Sequence, residues 1–240
     1  MSGKSEVEYP TSDGQPMAES QEHLRVMIDL IVGLQRRFAP MPDAWVSGNF
    51  FLFYEQGNPK ARVSPDVLLA RGLSGPPSRY YLLWEETVPS LVVEVTSRKT
   101  RSKDMGFKKQ VYERIGIEEY ILFDPMEDYL RPQLQGYRLM RGRYQPMPLV
   151  EDGTLLSRTA RLRMRPEGQR LRLIDAVTAE PILWPEEAEL ARGKAERARQ
   201  EAETARQEAE AAKRGAEARA QAAEVRAKAL EEELKRLRQG

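Results

Sequence analysis

The chain has 240 residues, 31% charged and 40% hydrophobic, with a formal net charge of +1, so it lacks the global basic excess of many nucleic-acid binders. It contains no cysteine and one histidine, His23, which excludes disulfides, thiolate zinc sites and a cysteine nucleophile, and argues against a His-ligated metal cluster or a Ser-His-Asp triad. Chemistry is left to Asp, Glu, Lys, Ser, Thr, Tyr and Arg, and oxygen-only metal ligands favour magnesium or manganese.

Residues 1–17 are polar and are expected to form a disordered arm. They lack the apolar core of a signal peptide, and no later run is long enough to span a membrane, so a cytoplasmic protein is expected. From Ala18 to Phe38, Leu24, Met27, Ile28, Ile31, Leu34 and Phe38 recur at three- and four-residue steps, the stripe of a helix that Pro40 and Pro42 end. Trp45 to Tyr54 reads as a strand, closed by a turn at Gly57-Asn58-Pro59. Val67 to Ala70 is a short apolar strand introduced by Ser64-Pro65-Asp66, and Arg79 to Trp84 is another candidate.

Leu91 to Val95 is a continuous apolar run interrupted only by Glu94. Such a run fits a strand buried on both faces, and a carboxylate inside it needs a partner or a metal. Lys103 to Ile115 is helical, with Phe107, Val111 and Ile115 on one face and Gly116 as cap. Tyr120 to Phe123 is a buried strand closed by Asp124-Pro125. Two hairpins follow, Tyr137–Met140 with Tyr144–Met147 and Leu162–Met164 with Leu171–Ile174. This order predicts one α/β domain over residues 18–184, with a mixed sheet flanked by helices.

Residues 185–240 have a different composition. Ala, Glu, Arg, Lys, Gln and Leu dominate, and proline is absent after Pro185. One column keeps a seven-residue step: Ala188, Ala195, Ala202, Ala209, Ala216, Ala223, Leu230 and Leu237. A second runs Ala191, Ala198, Ala205, Ala212, then slips by one residue to Ala220, Ala227 and Leu234. Alternating steps of three and four make a coiled-coil seam, which predicts a long helix pairing with copies of itself. A solvated single helix held by Glu/Arg pairs is the plainer reading.

Three elements carry chemistry. Pro65-Asp66 opens one strand, Glu94 lies in another, and Asp104, Lys108 and Tyr112 follow at four-residue steps on one helix face. Two carboxylates on adjacent strands can jointly hold Mg2+ or Mn2+, which polarises a phosphodiester and acidifies a bound water. A lysine beside them orients the water or neutralises charge on phosphate, and the carbonyl of Val95 is a further candidate ligand. Each element alone has an ordinary explanation: Pro-Asp starts turns, a core Glu pairs with a core cation, and an i,i+4 helix pair is worth tenths of a kcal/mol. The basic loop Arg98, Lys99, Arg101 and Lys103 adjoins the site and is a candidate phosphate contact.

The string Pro65-Asp66, Pro89-Ser-Leu-Val-Val-Glu94-Val-Thr-Ser97, Asp104-x-x-x-Lys108-x-x-x-Tyr112 and Gly116-Ile-Glu-Glu-Tyr120-Ile-Leu-Phe-Asp124-Pro125 resembles the Uma-type restriction endonucleases of the PD-(D/E)XK nuclease superfamily. The resemblance covers roughly residues 24–183. It implies a restriction-endonuclease-like fold and an endonuclease acting on DNA with Mg2+ or Mn2+. By that resemblance, Asp66 and Glu94 match the metal carboxylates. Thr96 stands where the superfamily's lysine would be, and Lys108 supplies the lysine from the next helix, with Lys109 a weaker substitute. Glu22 is an accessory candidate. Two other readings stand beside this one: an inactive nuclease-like scaffold acting through its coiled coil, and DNA binding without cleavage, for which no helix-turn-helix, zinc module or basic arm is found.

Overall fold

The computed structural model describes residue 9 and residues 20–77 and 79–239, without the side chains of residues 233 and 237–239. The expected disordered arm, apart from Tyr9, and the side chain of Leu237 lie outside the described residues. The chain divides into two units, Met1–Pro185 and Glu186–Gly240.

The first unit opens with α1 (Gln21–Phe38), capped by Ser20, whose hydroxyl accepts the His23 N–H at 3.2 Å. Its buried face is Val26, Met27, Leu30, Leu34 and Phe38, with His23 and Asp29 among them. The stripe expected from the sequence is therefore rotated: Leu24 and Ile28 are 49% and 46% exposed. Apolar residues line two adjoining faces of this helix, and the buried one carries polar groups with partners elsewhere in the fold. Asp29, for example, pairs with Arg170 at 2.8 Å.

The strands are β1 (Ala44–Ser47), β2 (Leu52–Phe53), β3 (Arg62–Val63), β4 (Val67–Arg71), β5 (Tyr81–Leu82), β6 (Leu91–Val95), β7 (Glu119–Phe123), β8 (Leu134–Met140), β9 (Arg143–Pro146), β10 (Leu155–Ser157), β11 (Leu162–Glu167) and β12 (Arg170–Asp175). The strand expected over Trp45–Tyr54 breaks in two at Gly48 and Asn49, the latter with φ of 54°. The candidate at Arg79–Trp84 shrinks to β5.

Six strands form a mixed sheet in the order β1-β4-β6-β7-β8-β9, in which only β6 and β7 run parallel. A parallel pair needs a crossover, and here it is helical. α2 (Arg101–Lys103) leads into a π-helical turn, Asp104–Lys108, and then α3 (Lys109–Ile115), capped by Gly116 at φ of 91°. β10, β11 and β12 form an antiparallel sheet, and β3, β2 and β5 a small third one.

Alternation along the central strands separates two cores. Val67, Leu69, Leu91, Val93, Val95, Ile121 and Phe123 pack with α1 and the β10–β12 sheet. Leu68, Ala70, Val92, Tyr120 and Leu122 pack on the other face with Val111 and Tyr112 of α3. Glu119 at the start of β7 ties the large sheet to β10. Its Oε1 accepts from Arg138 Nη2 (2.7 Å) and Arg158 N (3.0 Å), and its Oε2 from Ser157 Oγ (2.6 Å) and Thr159 Oγ1 (2.8 Å). A buried carboxylate this fully bonded avoids the desolvation cost of an unmade hydrogen bond.

The second unit is one helix, α4 (Pro185–Gln239), 55 residues long and roughly 80 Å by the ordinary helical rise. Proline suits its first position, and Glu186 and Glu187 suit the positive end of its dipole. Exposed ion pairs such as Arg206–Glu210 and Lys228–Glu224 run along it. Leu190, Val225, Leu230 and Leu234 are each more than half exposed.

Candidate active site

Asp66 and Glu94 come together because β4 and β6 are antiparallel neighbours, with Val67 opposite Val93. Residue 66 therefore extends β4 to the level of residue 94. The turn before Asp66 is held in place from the two residues that follow β1. Asn49 N donates to Pro65 O at 2.8 Å, and Gly48 lies so close that a Cβ there would sit 1.8 Å from the Asp66 carbonyl oxygen. The Asp66 carboxylate in turn accepts the Val95 N–H on Oδ2 at 2.8 Å. The Val95 amide, rather than its carbonyl, thus meets Asp66.

Glu94 is fully buried and both its oxygens are engaged. Oε2 accepts from Lys108 Nζ at 2.7 Å and from Asp66 N at 3.4 Å, and Oε1 accepts from Tyr112 OH at 2.7 Å. Lys108 also lies 3.2 Å from Asp104 Oδ1.

The π-helical turn explains why Asp104, Lys108 and Tyr112 share a face. A four-residue step overshoots an α turn of about 3.6 residues and falls short of the wider π turn, so one step of each kind cancels the drift. The buried face is Asp104, Lys108, Val111 and Tyr112, and Phe107 points out at 47% exposure, contrary to the expected apolar face. Tyr120 OH closes the arrangement by donating to the Asp104 carbonyl at 2.9 Å.

The electrostatics follow from burial and crowding. Burial pushes the Glu94 carboxyl well above the usual range. Lys108 opposes that shift, while Asp66 and Asp104 add to it. Burial also raises Asp66, but the His23 hydrogen bond, Lys108 and the Val95 N–H outweigh it and hold Asp66 below its ordinary value. Burial works against the Lys108 ammonium, yet three neighbouring carboxylates raise its pKa. The buried Asp104 carboxylate accepts no hydrogen bond, so Lys108 is shared among more negative charge than it can cancel.

The sequence did not point to His23. Its Nε2 is 3.4 Å from Asp66 Oδ2, and it is 3% exposed. The available signal was its place on the buried face of α1, three and four residues before Val26 and Met27. Glu22, the accessory candidate beside it, meets Ser20 and Arg25 instead of the cluster. Thr96 is buried on β6's continuation, its hydroxyl without a hydrogen bond. Lys109 turns away onto the Tyr137 ring at 3.4 Å. Arg98, Lys99, Arg101 and Lys103 are exposed, and Arg98, Arg101 and Met105 line an open groove of about 450 Å³.

Hard oxygen donors with excess negative charge fit a divalent cation. Among the described residues, no three His, Asp or Glu side chains form a ready-made metal cage. A cation here would rest on Asp66 and Glu94 and take its other ligands from water, backbone or substrate, as magnesium commonly does.

The chain belongs to the Uma2 family: the family profile, described as "Putative restriction endonuclease", matches residues 3–166, more than half of the chain. Its mixed sheet flanked by helices is the restriction-endonuclease-like fold. No curated protein matches the chain. Among solved structures it is similar to a "putative nuclease belonging to DUF820" from Anabaena variabilis ATCC 29413, at 14% identity and a TM-score of 0.46, over 65% of this chain and 86% of that one. Among the described residues, no helix is long and apolar enough to cross a membrane.

Proposed function

We propose that this nuclease-family protein is a Mg2+- or Mn2+-dependent DNA endonuclease that works in the cytoplasm, with Asp66, Glu94 and Lys108 as its catalytic residues. The observation that carries the reading is their convergence. Residues 28 and 14 positions apart in sequence meet through hydrogen bonds of a single carboxylate. In hydrolysis a water oxygen bonds to phosphorus, one ester P–O bond breaks, and the leaving oxygen takes the proton. A bound divalent ion supplies Lewis acidity and lowers the pKa of its water. Asp66 and Glu94 would hold that ion, with the Val95 carbonyl as a third donor. Lys108 would neutralise charge on the phosphate and position the attacking water. His23 and the Val95 N–H fix Asp66, Asp104 holds Lys108, and Tyr112 orients Glu94. The exposed Arg98, Lys99, Arg101 and Lys103 would take neighbouring phosphates.

One observation favours the alternative, an inactive scaffold acting through α4. Glu94 has no exposed surface and both its oxygens are already bonded. Plasmid incubated with Mg2+ or Mn2+ and the wild type, Glu94→Ala or Lys108→Ala separates the readings. Metal-dependent nicking lost in both variants supports the nuclease, and equal background in all three rejects it. In either reading α4 joins two copies of the chain.

A further inference from the structure

We infer that α4 pairs with a second copy of itself as a parallel, in-register two-stranded coiled coil whose seam crosses one shared register slip. This rests on the pairing just proposed and adds orientation and register to it.

The seam steps three then four residues from Ala188 to Ala216, takes one extra four-residue step to Ala220, and resumes from there. That is a stutter, which locally unwinds a coiled coil. In α4 the seam alanines carry no other packing, since almost all of the helix after residue 190 is exposed. Alanine knobs bring helix axes close, so the flanking charges decide how two copies fit.

Before the slip, the residues preceding the first seam positions are Glu187, Lys194, Glu201, Glu208 and Gly215, and those following the second positions are Arg192, Arg199, Arg206 and Lys213. After it the signs exchange for two heptads, where Arg219 and Arg226 precede and Glu224 and Glu231 follow, and return in the last, with Glu233 and Arg238. In a parallel pair the preceding residue meets the following residue of the next heptad in the partner helix. Glu201 then faces Arg206, Glu208 faces Lys213, Arg219 faces Glu224, and Arg226 faces Glu231. Only Lys194 and Arg199 are alike. Glu187 with Arg192 and Glu233 with Arg238 extend the pattern to both ends, so opposite charges meet on both sides of the slip whichever sign comes first.

An antiparallel pair stays in phase only if centred at the slip, close to Ala216. It also satisfies Arg206 with Glu224 and Arg199 with Glu231. That register leaves Ala188 and Ala191 past the other chain's end and sets Glu201 beside Glu233. The parallel pair uses the whole seam and brings slip against slip. Parallel, full-length pairing therefore wins on buried seam, with charge consistent throughout.

The absence of native cysteine allows a clean test on the full chain. Ala198→Cys and Ala223→Cys, each alone, are mildly oxidised and resolved by size, with light scattering on the reduced proteins. Parallel pairing gives a covalent dimer with each variant. If both stay uncross-linked while light scattering gives two copies, orientation is wrong and pairing stands. A single-chain mass overturns pairing and orientation together and leaves the nuclease reading untouched. In a second test, Glu201→Lys with Glu208→Lys should weaken association about tenfold. Adding Arg206→Glu and Lys213→Glu should restore it, and no change in either set would overturn the charge assignment.

Discussion

Lys108 Nζ and Glu94 Oε2 meet at 2.7 Å, and their side chains are 7% and 0% exposed. At that burial the pair is an obligate one: removing either partner strands a charge, which costs about 3–5 kcal/mol. Lys108→Met should lose that much in urea unfolding. The double variant with Glu94→Gln should lose clearly less than the sum of the two singles, because Glu94 no longer strands a charge, while Asp104 keeps its own. Additive losses would mean the two groups do not stabilise each other.

Tyr112 donates the other hydrogen bond to Glu94, at 2.7 Å. Tyr112→Phe keeps the ring and removes the donor. The expected loss is roughly 1.5–3 kcal/mol, the range for a bond to a charged group, with nicking reduced as Glu94 loses its orientation. A variant as stable and active as wild type would place Glu94 under the control of Lys108 alone.

Thr96 follows Glu94 by two positions, with its hydroxyl buried and unbonded. A lysine there, in a background lacking Lys108, has a vacated volume and an unpaired carboxylate to occupy. Lys108→Ala with Thr96→Lys should recover nicking that Lys108→Ala loses. Failure to recover, in a protein shown to be folded by circular dichroism, would tie the ammonium to the π-helical turn.

Gly48 tolerates no side chain. A Cβ would lie 1.8 Å from the Asp66 carbonyl oxygen, backbone that cannot swing aside. Gly48→Ala should therefore displace the Asp66 turn, lowering metal-dependent nicking and stability together. An unchanged unfolding midpoint would show that the loop yields without moving Asp66.

The two metal-candidate carboxylates should give opposite pH slopes. Glu94 is held above its ordinary 4.5, so from about that pH upward the unfolded chain gives up a proton that the native state keeps, and stability falls until the raised folded value is passed. Asp66 is held below 3.8. Its contribution is present above that pH and is lost as pH falls through the lower folded value. Urea unfolding from pH 3 to 7 should show Glu94→Gln flattening the fall on the high side and Asp66→Asn flattening the fall on the low side. The reverse assignment would contradict the buried, crowded setting of Glu94.

Much of this site could be read directly from residue types. An acidic residue inside Leu91–Val95, a Pro-Asp before an apolar run, and carboxylate, lysine and tyrosine at equal steps all point to chemistry, and these residues converge. Periodicity alone misplaced the phase of α1, because Leu24 and Ile28 adjoin an equally apolar face. It therefore hid His23, whose role depends on contact with a strand more than forty residues away. The π-helical turn and the close approach at Gly48 were illegible for a related reason: both are set by backbone geometry that depends on packing partners. β10 was too short to register a pattern.

The Asp66 turn has a consequence for when this protein becomes competent. Lys108, Glu94, Asp104 and Tyr112 all belong to one β6–helix–β7 crossover, but Asp66 reaches them only by pairing β4 with β6, and His23 only by docking α1. A chain emerging during synthesis holds all the acidic groups of the site before it can arrange them. On the proposed nuclease reading, phosphodiester chemistry would wait for both of these contacts, and the finished sheet would act as its own safety catch.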